Sequence, residues 1–169
     1  MALLEKHLSV KESTIPDAGM GLYTSVAIPK GTQIVEYKGK ITTWKEVQHN
    51  EGTNGYIFFV NRNHVIDARR TKSALARYAN DARGLKRVKG LLNNCVYETV
   101  KGKVYIKSVK DIPAGAEILV DYGKDYWDAV RHNIQLDKLQ AREAAKKAKA
   151  AEKAKTAKKI KKAKKAAKK

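Results

Sequence analysis

The stretch ILVDYGKDYW, residues 118–127, leaves a β pattern abruptly. Apolar strand residues run into Asp121, Tyr122 and Gly123, and Asp125, Tyr126 and Trp127 follow at once. Two phenols, two carboxylates and an indole crowd one glycine turn, and an ordinary strand end has little use for so many side chains of this kind.

Working outward, Ser9 to Tyr122 alternates short apolar runs with turn residues at close spacing, the rhythm of many short strands. Strands are expected at Leu8–Glu12, Gly21–Ser25, Gln33–Tyr37, Gly55–Val60, Val65–Asp67, Val104–Ser108 and Glu117–Val120. The turns Pro29-Lys30-Gly31 and Pro113-Ala114-Gly115 each precede a β-prone run. Helical pattern is scarce, with Thr43–His49 and Arg70–Tyr78 as short candidates and Asp128–Gln140 as a helix leading onward. The fold class is therefore mostly β with few short helices.

The length of 169 residues suits one domain with an appendage. Net charge is +19, and residues 141–169 carry most of it: 13 Lys and one Arg against two Glu gives +12. That Lys/Ala-rich segment has Ile160 as its single branched aliphatic and no aromatic, Gly or Pro, so it cannot bury a core. It reads as a basic tail, helical on an anionic surface or disordered. Nucleic acid is the natural partner of residues 141–169, a solubilising extension is the alternative, and no apolar face suits a membrane. The expected domains are residues 1–127, a helix or linker at 128–140, and the tail at 141–169.

Cys95 is the single cysteine, which excludes an internal disulfide and a cysteine-rich zinc site. No metal is expected. MALLEKHLSV has too short an apolar run for a signal peptide, and no window approaches membrane-spanning length. A soluble intracellular protein is expected, in the cytoplasm or nucleoid of a bacterium, or in the nucleus and on chromatin for a viral protein or effector.

Chemistry has several candidate carriers. In PDAGMGLYTS, residues 16–25, the Gly19-x-Gly21 pair lets the backbone turn and expose its N–H groups to a ligand, although such pairs also serve plain turns. No helix follows, so a dinucleotide-binding fingerprint is excluded. In QIVEYKGKI, residues 33–41, strand alternation puts Tyr37 on one face with Gly39, whose missing side chain leaves open space beside the phenol. Asn80 and Asp81 end one segment, and a loop rich in Arg and Lys separates them from Asn93-Asn94-Cys95. Asn pairs of this kind also cap and turn backbones.

Taken in order, these pieces resemble the SET-domain protein lysine methyltransferases, from about Ser9 to Trp127. AGMGLYT (18–24) resembles the family's glycine motif, VEYKG (35–39) its tyrosine-glycine strand, VIDARRTKSALARYAN (65–80) its segment ending in Arg-Phe-x-Asn-His, and AEILVDYG (116–123) its Glu-Leu-x-x-Asp-Tyr-Gly signature. Short stand-alone members from bacteria and large DNA viruses are closest in size, and the tail is similar to those of linker-histone-like proteins. Asp81 departs from the family's His, and the loop before Asn93 replaces its Ser-Cys-x-Pro-Asn run.

The resemblance implies a SET fold of several small sheets with pseudoknot-like threading. It implies methyl transfer from S-adenosyl-L-methionine to a lysine of a protein substrate. Tyr122 matches the catalytic tyrosine, Tyr37 a second channel tyrosine, and Tyr97 the position where a phenol limits the number of methyls added. Gly19, Met20, Gly21, Arg77, Tyr78, Asn80, Asp81 and Tyr122 match cofactor-pocket positions. Trp127, like Tyr126, stacks on adenine or closes the lysine channel, or else anchors the core. The expected substrate is histone-like or nucleic-acid-associated. A competing reading makes the basic tail the functional part of a DNA-compacting protein. Nucleic-acid methylation is disfavoured by the lack of an Asn-Pro-Pro-Tyr-like motif.

Overall fold

The computed structural model describes residues 3–50 and 53–166, with side chains as far as residue 152. By contact density the chain divides into two compact units, Met1–Trp127 and Asp128–Lys169.

Among the described residues, the first unit holds three small antiparallel sheets. β1 (Leu8–Glu12) and β2 (Met20–Thr24) precede β3 (Gln33–Glu36) and β4 (Lys40–Thr42). A short helix α1 (Trp44–Val47) leads to β5 (Ile57–Asn61) and β6 (His64–Asp67). β7 (Cys95–Val100), β8 (Lys103–Ser108) and β9 (Glu117–Ile118) complete the set. The sheet orders are β1-β2-β9, β3-β8-β7 and β4-β6-β5. The expected fold class, several small sheets with few short helices in this unit, is what the chain adopts. Leu22, Ile34, Ile106, Ile118 and Val120 reach the core from separate segments and are fully buried. Sealing each is worth about 1.5–3 kcal/mol, which holds sheets too small to stand alone.

Two expected elements differ. The helix expected over Arg70–Tyr78 is a single 3-10 turn, Leu75–Tyr78, because the backbone before it is spent on successive turns, Ala68 O accepting from Thr71 N and Thr71 O from Ala74 N. The strand expected over Glu117–Val120 pairs with β2 only as far as Ile118. Leu119 and Val120 instead bridge in parallel to Asn80 and Cys95. Val120 N donates to Asn80 O at 2.8 Å, and Cys95 N donates to Leu119 O at 2.9 Å. Residues 117–121 thus pass between two segments joined by the basic loop, the pseudoknot-like threading expected of this sequence.

The second unit is helical, the helix α2 running Lys124–Ala166. Ala and Lys supply good helix propensity, and Leu136 and Leu139 are exposed. No described helix is long and apolar enough to cross a membrane.

Candidate active site

A cleft of about 560 Å3 opens on the first unit, within the range of about 300–1,000 Å3 usual for small-molecule sites. The threading builds it. Residues 80–81 and 121–122 are pinned side by side by the Leu119–Asn80 bridge, and the turn before β2 brings Gly19 and Met20 to the same opening. Gly19 has φ of +71°, a left-handed conformation natural to glycine.

Of the residues singled out in the sequence, Gly19, Met20, Arg77, Tyr78, Asn80, Asp81, Tyr122 and Trp127 line this cleft, as does Tyr126. Gly21 does not. It faces the other way, and a Cβ there would overlap Glu117 Oε1, so its bareness serves the packing of a buried carboxylate. Gly39 also differs from expectation. No open space lies beside it, since a Cβ would sit 2.6 Å from the Asp67 carbonyl oxygen, where two backbones cross.

Five aromatic rings adjoin Tyr122 in a chain. Tyr97 stacks near it with centroids 6.5 Å apart, Tyr126 meets it edge-on at 5.0 Å, and Trp127 lies nearly parallel at 5.9 Å. Tyr37 reaches Tyr97 edge-on at 5.7 Å, and Phe58 packs on Tyr97 at 4.8 Å. The Tyr122 hydroxyl donates to Ala79 O at 2.7 Å, and the Tyr37 hydroxyl to Tyr56 O at 3.1 Å. Burial pushes the Tyr122, Tyr97 and Tyr37 phenols well above the ordinary tyrosine value, with neighbouring phenols adding to it. All three stay neutral near pH 7. With its proton committed to Ala79, the Tyr122 oxygen keeps its lone pairs for an incoming donor.

Asp81 holds this end together. Its carboxylate accepts from Tyr122 N (2.9 Å), Trp127 Nε1 (2.8 Å), Arg83 N (2.7 Å) and Asn93 Nδ2 (2.7 Å). The indole therefore has a fixed edge, and its far rim rests on Gly84, where a Cβ would come within 2.8 Å of Trp127 Cη2. Tyr126 has a similar seat, its hydroxyl 2.9 Å from where a Gly55 Cβ would lie.

Arg77 also lines the cleft, over the Tyr56 ring at 4.0 Å and near Tyr78 at 5.2 Å. Its Nε is buried with no hydrogen-bond partner, its guanidinium plane resting on the Tyr56 ring. Glu117 was not singled out from the sequence as a site residue. It is 6% exposed, and its carboxylate accepts from Ser13 Oγ (2.7 Å), Thr14 N (2.8 Å), Thr14 Oγ1 and Tyr23 Oη (3.3 Å). A Glu opening a strand whose next residues are all apolar was the available signal.

Residues 19–123 match the SET domain family. Histone-lysine N-methyltransferase 2D of Homo sapiens is 34% identical over 120 residues, covering 65% of this chain and 2% of that protein. Histone-lysine N-methyltransferase set-17 of Caenorhabditis elegans is 30% identical over 118 residues, covering 69% of this chain and 41% of that protein. The chain thus corresponds to less than half the length of either relative. Among solved structures, the methyltransferase domain of human PR domain-containing protein 2 superposes with a TM-score of 0.52 at 22% identity, over 70% of this chain and 78% of that one.

Proposed function

The chain belongs to the SET-domain family, and from that premise we propose that it methylates lysine side chains of a protein, using S-adenosyl-L-methionine. The observation that carries the reading is the neutral Tyr122 phenol, oxygen lone pairs free, at a cleft also lined by the Gly19 turn and Arg77. Residues 1–127 are the catalytic domain in this reading, and 128–140 link it to the tail.

The residues present fit the cofactor. The positive charge of Arg77 suits a carboxylate, Asn80 suits an amino group, and Gly19 and Met20 offer backbone groups to the same amino-acid end. Gly21 supports that turn from behind. Tyr78, Asp81 and Trp127 wall the remainder. S-adenosyl-L-methionine supplies a methyl group on a positively charged sulfur.

A lysine amine must arrive neutral, against its ordinary pKa of about 10.4. A cleft walled by Tyr122, Tyr126 and Trp127, with Tyr97 and Tyr37 packed behind them, disfavours the ammonium form by withholding water. The Tyr122 oxygen accepts an N–H of the amine and so aims its lone pair, and positioning of this kind supplies much of the acceleration. The Tyr97 hydroxyl fills space that further methyls need, so mono- and dimethyl-lysine are the expected products.

Residues 141–169 bring the enzyme to nucleic acid and so to histone-like, nucleic-acid-associated substrates, which places its work on chromatin or a nucleoid. The DNA-compacting alternative leaves the buried tyrosines without a task.

The test incubates the full chain with labelled S-adenosyl-L-methionine and histone-like proteins, beside Tyr122→Phe. The variant is expected to lose about 100-fold or more in kcat while staying folded. Absence of both transfer and cofactor binding in the unaltered protein defeats the reading. Deletion of 141–169 should abolish salt-sensitive DNA binding and spare transfer to a short peptide.

A further inference from the structure

We propose that Glu117 is a positioning residue that locks the Asn80 side-chain amide with its oxygen turned into the cleft. Asn80 Nδ2 donates to Met20 O at 3.0 Å and reaches Glu117 Oε1 at 3.4 Å. Both partners are acceptors only: a backbone carbonyl and a carboxylate already surrounded by donors. An Asn amide has two orientations of nearly equal shape, separated by the exchange of its oxygen and nitrogen. Here the exchanged form would set Oδ1 against two oxygens at hydrogen-bonding distance. That repulsion selects one form.

The consequence is chemical. With Nδ2 committed inward, the group Asn80 offers to the cleft is an acceptor, and an acceptor selects a cationic amine over a carboxylate at that spot. Glu117 never touches the ligand, yet it decides which charge the site receives there. The Gly21 contact has the same origin: the strand passes close enough to Glu117 for Met20 O and the carboxylate to converge on one amide.

The identity of the amine rests on the cofactor reading above; the amide lock does not. The experiment therefore reads both. In the unliganded full chain, 15N NMR follows the Asn80 side-chain amide protons, and calorimetry follows S-adenosyl-L-methionine, in unaltered protein, Glu117→Gln, Asn80→Ala and the double variant. Glu117→Gln replaces the charged acceptor by an amide whose NH2 must face either Asn80 Nδ2 or Thr14 N, so the Asn80 amide resonances move and cofactor Kd rises about tenfold, with KM for peptide unchanged. The double variant binds no more weakly than Asn80→Ala, because Glu117 acts through Asn80. Unmoved Asn80 resonances in Glu117→Gln, or losses that multiply in the double variant, overturn the proposal. Should Glu117→Gln fail to fold, Glu117→Asp retracts the charge by one methylene and is held to the same two criteria. Failure of the unaltered protein to bind S-adenosyl-L-methionine defeats the methyltransferase reading instead, and the resonances alone then judge Glu117.

Discussion

Asp81 and Glu117 are both buried carboxylates, 4% and 6% exposed, yet they are held by different kinds of donor. The four bonds to Asp81 come from N–H groups of two backbones, an indole and an amide, none of which can turn round to accept. Three of the donors to Glu117 are hydroxyls of Ser13, Thr14 and Tyr23, which can. The first site is rigid because of its donors' chemistry. The second has slack everywhere except at Thr14 N and Asn80.

That contrast is broken or sharpened by substitution. Asp81→Asn sets an NH2 against donors that cannot reverse, and should cost about 3 kcal/mol of folding stability by urea denaturation. In a Trp44→Phe background the emission of Trp127 should also shift to the red as the indole loses its anchor. A loss under about 1 kcal/mol would show that the Asp81 site has slack after all.

Alkali probes both sides at once. Burial raises Tyr97 and Tyr122, with Asp81 contributing, and raises Tyr23, with Glu117 contributing. The unfolded chain releases these protons near pH 10, whereas the folded chain holds them to higher pH. Stability is therefore complete below about pH 10 and is lost as pH rises through the folded values. Urea midpoints measured from pH 8 to 11 should be level and then fall. The smallest effect belongs to Ser13→Ala, about 1 kcal/mol, since Glu117 keeps its other donors. Equal costs for Ser13→Ala and Asp81→Asn would erase the distinction.

Much of this was legible in the sequence because it is local. Period-two runs and Pro-x-Gly turns place β1, β3 and β8 almost to the residue. β7 escaped because the turn joining it to β8 is Lys101-Gly102, both at positive φ (49° and 78°), and Lys stands where Asn or Asp usually signals such a hairpin. β4, three residues long, is too short to show a period. At the site, the motif residues could be named but their partners could not. Nothing in the neighbourhood of Asp81 says that its acceptor capacity serves Trp127, 46 positions later. Asn94 looked like a turn former. Instead Asn94 Oδ1 accepts from Leu119 N at 2.9 Å and its Nδ2 donates to Glu117 O at 2.8 Å, a side chain standing in for a strand neighbour.

The passage of residues 117–121 between the Asn80 and Cys95 segments also bears on how the domain comes into being. Its bridges join positions about 25 to 40 apart, so each demands loop closure before any contact rewards it, and contacts of such sequence separation slow folding. A ribosome emitting this chain delivers Tyr122 after every other part of the first unit except its last aromatic pair. Until then the cleft has no floor and Asn80 no neighbour strand. The walls of the cleft should therefore be completed together, in the final step of folding, with no half-built site preceding them.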